Sequence, residues 1–190
     1  VREINSKEKN KPVAVIKTFG CQQNEADSER LAGMAEAMGY TISECESEAD
    51  LIVVNTCAIR EHAELKALSI TGQFKHLKNA KPSLIIGICG CMVTQEHRLN
   101  DIKNKYPYVD FLFGTGEIYR FPEFVLKAKS TDNRFFIADS SVGVIAEGLP
   151  VRRNSPFKAW LSIMYGCNNF CTYCVVPYVR GRERSRNRED

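Results

Sequence analysis

The sequence predicts an α/β protein built on a doubly wound, flavodoxin-like parallel sheet. Two observations carry this. Four nearly continuous apolar runs, at 13–19, 51–54, 84–88 and 109–113, alternate with stretches of helical periodicity. Runs that are apolar at successive positions suit strands covered on both faces, which is the condition of a parallel sheet flanked by helices.

Val13–Phe19 is β-branched and apolar, and it stops at Gly20-Cys21. A helix opens at about Asn24, with Leu31, Met34, Ala35 and Met38 at helical spacing, and Gly39 ends it. Tyr40–Ser43 suits a short strand. Leu51–Val54 is the next buried strand; it ends at Asn55-Thr56-Cys57 and leads into a helix over 58–77. Leu84–Ile88 ends at Cys89-Gly90-Cys91, before a helix over 94–104. Val109–Phe113 ends at Gly114-Thr115-Gly116, before a helix over 117–127. The rhythm breaks at 130–156, which holds Gly143, Gly148, Pro150 and Pro156 and room for one short strand at 134–138. A new strand is expected over 159–164, running straight into a cysteine cluster. The domain plan is therefore a flexible leader at 1–12, a first domain at 13–129, an interdomain connection at 130–156, and the start of a second domain at 157–190.

Bulk properties narrow the function classes. Of 190 residues, 44% are hydrophobic and 26% charged, as in an ordinary globular protein, and the net charge of +3 does not by itself argue for nucleic acid. The basic residues are unevenly placed: 180–188 holds five arginines against one acid. No apolar stretch approaches the ~20 residues of a membrane span, and the lysine-rich N-terminus has no apolar core for a secretory signal. A cytoplasmic monomer is expected. In a reducing compartment eight cysteines point to metal or catalysis rather than to disulfides.

Two sets of cysteines stand out. Cys167, Cys171 and Cys174 form a C-x3-C-x2-C run with no later cysteine. Three thiolates can hold three corners of a cubic iron–sulfur cluster and leave the fourth iron open to a ligand. Structural zinc competes, because thiolates suit zinc as well as iron–sulfur clusters. It usually takes four ligands, and His62, His76 and His97 lie far away on expected helices. Cys21, Cys57 and Cys91 are about 35 residues apart, yet each follows a strand. Carboxyl ends of parallel strands share one edge, where sites form, so these three thiols are expected to converge. Each also precedes a helix start, where backbone N–H groups favour a thiolate, and Gly20 and Gly90 let the backbone bend close to a bulky group. Cys45 and Cys89 are read as structural, with Cys89 the main rival to Cys91 as a ligand.

Around these cysteines the sequence resembles a known family. The run Cys167-x3-Cys171-x2-Cys174, with Tyr173 before the last cysteine, resembles the radical S-adenosylmethionine motif. Gly20-Cys21-Gln22-Gln23-Asn24, Asn55-Thr56-Cys57 and Gly90-Cys91-Met92 resemble the N-terminal domain of the methylthiotransferases. The stretch from Gly166 to Arg186 is most similar to the MiaB branch, which acts on N6-(dimethylallyl)adenosine beside the tRNA anticodon. Gln23 stands where that branch commonly has methionine.

The resemblance implies two 4Fe-4S clusters. The cluster on Cys167, Cys171 and Cys174 binds S-adenosyl-L-methionine and yields the 5'-deoxyadenosyl radical. The auxiliary cluster on Cys21, Cys57 and Cys91 holds the sulfur to be transferred. It also implies tRNA as partner, an electron donor such as flavodoxin or ferredoxin, and cofactor contacts from Tyr173 and Arg180. Arg180, Arg182, Arg184 and Arg186 become candidates for cofactor or tRNA phosphate contacts. No acid or base is assigned. The family continues into a radical S-adenosylmethionine (β/α) barrel, which typically needs ~200 residues or more. Residues 157–190 are thus the start of a truncated barrel, and this chain alone is expected not to turn over. Two rival readings stand beside this one: a relative acting on N6-threonylcarbamoyladenosine or on a ribosomal protein, and a metal-stabilised tRNA-binding module without catalysis.

Overall fold

In the computed structural model, residues 1–6, 10–131, 133–137, 145 and 147–189 are described. The elements in chain order are α1 (Arg2–Asn5), β1 (Val13–Thr18), α2 (Gln22–Ala37), β2 (Thr41–Ile42), β3 (Leu51–Thr56), α3 (Glu61–Ala80), β4 (Ile85–Gly90), α4 (Glu96–Lys105), β5 (Phe111–Phe113), α5 (Phe121–Ser130), β6 (Phe135–Ile137), β7 (Met164–Tyr165), α6 (Val176–Arg180) and β8 (Arg184–Ser185). Strands β1–β6 form one sheet in the order β2-β1-β3-β4-β5-β6, with every neighbouring pair parallel.

The alternation of side chains along β3 explains why both faces are covered. Leu51 and Val53 join a core with Leu31 and Met34 of α2 and with Phe121 and Phe124 of α5. Ile52 and Val54 face the opposite way, into a core with Phe74 of α3 and Ile102 of α4. All six residues of β3 are buried, so a helix pair packs on each side of the sheet, as the continuous apolar runs require. Fully burying one such large side chain contributes roughly 1.5–3 kcal/mol. On the first face, Phe111, Phe113, Phe121, Phe124 and Phe135 form an aromatic cluster with ring centroids 5.0–6.5 Å apart. Gly87 is required beneath it, because a Cβ there would run into the Phe111 ring.

Several boundaries differ from the sequence reading. Helix α3 begins at Glu61 rather than Ala58, and the stretch from Cys57 to Arg60 is a bend. The helix expected over 117–127 divides into a 3₁₀ segment, Thr115–Arg120, and α5. Pro122 stands in the first turn of α5, the position where its missing N–H is harmless, and so sets the new start. The leader contains one helical turn, α1, whose buried Asn5 donates from Nδ2 to the Met38 carbonyl at 2.9 Å. Residues 7–9 of the leader, much of the connection (138–144 and 146), and the last residue of the strand expected at 134–138 lie outside the described residues.

The largest correction concerns 159–164. It is not a strand; only Met164–Tyr165 pairs, antiparallel to Arg184–Ser185. A strand needs a ladder partner, and among the described residues β8 is the partner that this segment finds. Leu161 and Ile163 stay 71% and 68% exposed.

Candidate metal centre

The strand order turns at β1. The chain leaves β1 to one side to make β2 and returns to the other side to make β3. Where an open α/β sheet reverses in this way, a crevice opens outside the carboxyl ends of the strands. Cys21 follows β1, Cys57 follows β3 and Cys91 follows β4, so two of the three cysteines flank that crevice and the third stands one strand further on.

Only Cys21 sits where the helix-start argument put it, as the N-cap of α2. Cys57 lies in the bend before α3 and takes the Ile59 N–H at 3.3 Å instead. Cys91 opens a 3₁₀ turn, Cys91–Thr94. Cys57 and Cys91 are fully buried and Cys21 is half-buried; all eight cysteines are free thiols. The neighbouring Cys57 thiol, helped by the backbone N–H groups of Asn24 and Gln23 and opposed by burial, pulls Cys21 down to about 5. The Cys21 sulfur beside it and burial push Cys57 up, and burial pushes Cys91 up. One contact favours the protonated form of Cys21: Asn24 Oδ1, 3.3 Å from its sulfur.

The close approach of the two loops depends on glycine. A Cβ on Gly20 would lie 2.6 Å from both the Cys57 Cβ and Asn24 Oδ1. Beneath the thiols lies a buried amide network that the sequence reading missed. Asn24 Nδ2 donates to Asn55 Oδ1 at 3.0 Å and to the Thr56 carbonyl at 2.8 Å. Asn55 Nδ2 donates to the Asn24 carbonyl and to Ser28 Oγ, each at 2.9 Å. Thr56 Oγ1 donates to the Cys89 carbonyl at 2.6 Å. The ends of β3, β4 and α2 are thereby locked together. The signal was present in Asn24 and Asn55, polar residues three and two positions from a cysteine. Replacing Asn55 by alanine leaves the buried Asn24 amide short of a partner. It is expected to lower unfolding free energy by about 2 kcal/mol, measured by urea denaturation of the metal-free protein.

Cys89 is buried among Phe111 and Phe113 on the α2/α5 face, and burial pushes its thiol well up. It belongs to the core. Cys45 is exposed, 3.2 Å from Ser47 Oγ.

The second set is built differently. The Cys167 N–H donates to the Gly181 carbonyl at 3.2 Å, and the Cys174 N–H closes a turn on the Cys171 carbonyl at 2.9 Å. Cys171 is exposed, Cys167 and Cys174 half-buried. Gly166 adopts φ 73°, and the Gly181 and Arg182 carbonyls leave no room for a side chain there. Phe170, in the left-handed region at φ 45°, packs edge-on against Tyr178 at 5.9 Å and beneath the Arg182 guanidinium at 4.7 Å. Tyr173 is 91% exposed.

The arginine run is largely engaged within the chain. Arg184 Nη2 donates to the Arg180 carbonyl, and Arg186 pairs with Glu147 at 2.6 Å. Arg180 is buried; its Nη2 lies 3.0 Å from Asp27 Oδ2 on α2. A cavity of about 630 Å³ lies between Cys21 and the segment that leads to the second set, lined by Gln23, Arg60, Trp160, Leu161 and Ser162 among others. Gln23 Nε2 donates across it to Ser162 Oγ at 3.1 Å.

Among the described residues, no three histidine, cysteine or acidic side chains stand close enough to hold one metal ion. The donor chemistry of the first set instead suits a cluster, which offers a separate iron to each thiolate. Three soft thiols stand at the carboxyl ends of adjacent strands, two of them buried, with glycine in place of side chains beside Cys57 and before Cys91. No helix among the described residues is long and apolar enough to cross a membrane.

The sequence profile of a family described as "Uncharacterized protein family UPF0004" matches residues 13–114, the sheet from β1 to the end of β5 with all three crevice cysteines. The chain belongs to the UPF0004 family. Over their whole length these 190 residues are 50% identical to a protein of Clostridium tetani named tRNA-2-methylthio-N(6)-dimethylallyladenosine synthase. Proteins of the same name from Acetivibrio thermocellus and Thermoanaerobacter sp. are 46% and 50% identical, again over all of this chain. The chain spans 40–42% of the length of these relatives. The UPF0004 domain is therefore followed here by a further stretch, 115–190, that the same relatives share.

Proposed function

We propose that this chain is part of a tRNA methylthiotransferase. Its reaction adds a methylthio group at C2 of N6-(dimethylallyl)adenosine next to the anticodon, at position 37. The observation that carries the reading is the placement of Cys21, Cys57 and Cys91 at the carboxyl ends of the adjacent strands β1, β3 and β4, in a chain that also holds the separate Cys167, Cys171, Cys174 set. Relatives that carry the synthase name are similar along the whole chain.

The chemistry asks for two sites. An aromatic C2–H is unactivated, so acid–base catalysis alone cannot exchange it for sulfur; bound 4Fe-4S clusters and S-adenosyl-L-methionine would supply the radical and sulfur chemistry. Cys167, Cys171 and Cys174 would hold the cluster that works with S-adenosyl-L-methionine, and the exposure of Cys171 leaves an open side for that ligand. Cys21, Cys57 and Cys91 would hold the auxiliary cluster. Of these three, Cys21 lines the cavity that Arg60 and Trp160 also line, where a cation and an aromatic face suit a nucleotide. Arg180, expected at the cofactor or the tRNA, pairs with Asp27 through Nη2. Tyr173, at 91% exposure, is free to meet either. A soluble electron donor completes the reaction.

The test is mass spectrometry of tRNA nucleosides from cells lacking the full protein. Loss of 2-methylthio-N6-(dimethylallyl)adenosine with accumulation of N6-(dimethylallyl)adenosine is expected. Loss of the methylthio group from N6-threonylcarbamoyladenosine, or unchanged tRNA, would reject this reading in favour of a relative with another substrate or of a binding module.

A further inference from the structure

Helix α2 carries Cys21 at its N-terminus and also receives the chain's C-terminal portion along its length. Arg153 pairs with the buried Glu29 at 2.8 Å, and the Arg152 N–H donates to the Glu29 carbonyl. The Arg30 guanidinium lies over the Tyr165 ring. Deepest of these contacts is Arg180. It leaves the end of α6, which packs against the Cys91 turn, and its side chain is 10% exposed against 2% for its partner Asp27. A buried cation with one carboxylate still has donors to satisfy, and the Cys91 turn is the neighbour on which α6 packs.

We infer that Arg180 is a positioning residue for the Cys21, Cys57, Cys91 site: a fixed positive charge, carried in by the C-terminal segment and aimed by Asp27, that balances the net negative charge of the three thiolates together with the group they hold. This rests on the proposed function. Three thiolates beneath an apolar sheet end are costly to charge without a counter-cation. A guanidinium keeps its charge at any working pH, and the Asp27 carboxylate 3.0 Å away offsets the cost of burying it. The first site is then complete only when the C-terminal segment is docked. Hydrogen bonds and net charge around a cluster set its reduction potential, so the pair leaves a measurable signature.

The experiment uses protein in which Cys167, Cys171 and Cys174 are alanine, so that all bound iron reports the first site. It measures the midpoint potential by electron paramagnetic resonance titration and the rate of iron release to a chelator, with circular dichroism to check folding. Arg180→Gln is expected to move the potential negative and to speed iron release about tenfold. Arg180→Lys, which keeps the charge, should stay near the parent potential. Asp27→Asn removes a negative charge and should move the potential the opposite way, to more positive values. General loosening of the site cannot produce that opposition of sign. Equal displacement of all three variants in one direction, or an unchanged potential and release rate in Arg180→Gln, would overturn the inference. If the parent protein never acquires cluster absorbance, the proposed function itself fails, and the two failures are thereby distinct.

Discussion

Replacing Cys57 by alanine in the iron- and sulfide-reconstituted full-length protein is expected to remove about half of its iron, from about eight atoms per chain to about four, if two 4Fe-4S clusters are present. Cys57 is fully buried at the crevice between β1 and β3, so nothing else can reach its place. The other buried thiol nearby, Cys89, is held among Phe111 and Phe113 on the far side of its strand. To act as a ligand it would have to leave the core and break the β4 ladder. Iron and acid-labile sulfide assays read the result directly. Cys45→Ala serves as the control and should leave the iron unchanged, since Cys45 is exposed and its sulfur contacts Ser47 Oγ. Full retention of iron in Cys57→Ala would mean that the first set holds no cluster. Stoichiometric zinc without cluster absorbance would favour the purely structural reading.

Gly90→Ala is expected to destabilise the metal-free protein by about 3 kcal/mol or more. Gly90 ends β4 at φ 100° and ψ −164°, a backbone region open essentially only to glycine. A Cβ there would also meet the Thr56 carbonyl, and would lie 2.7 Å from Asn55 Oδ1. Both belong to the network beneath the cysteines, so relief in either direction moves Cys57 or Cys91. For a domain of this size, 3 kcal/mol corresponds to roughly 6–12 °C in Tm. Thermal unfolding followed by circular dichroism measures it. A variant with unchanged Tm would show that the Gly90 backbone can flip out of this conformation without loss.

The sheet was legible because its signal is local. Leu51–Val54 and Leu84–Ile88 are apolar on both faces, and each helix carries its own periodicity, so burial is written residue by residue. Boundaries were less legible where two short-range preferences compete. Pro122 shifted the start of α5, and the bend at Cys57–Arg60 delayed α3. The failure at 159–164 has another cause. That segment has strand composition, but a strand exists only where another chain segment offers its hydrogen-bonding edge, and composition does not reveal the partner.

The sequence by itself determined which thiols share a sheet edge. Strand-end position is a property of topology, and Cys21, Cys57 and Cys91 carry it in their spacing from the apolar runs. The tertiary structure alone decided what surrounds them. Asn24 and Asn55 pair across 31 residues, and Arg180 reaches Asp27 across 153. A run of arginines at the end of a chain reads as a solvated surface or a phosphate contact. Only folding shows that one of them is buried, because the buried Asp27 carboxylate offers its guanidinium a charged partner there.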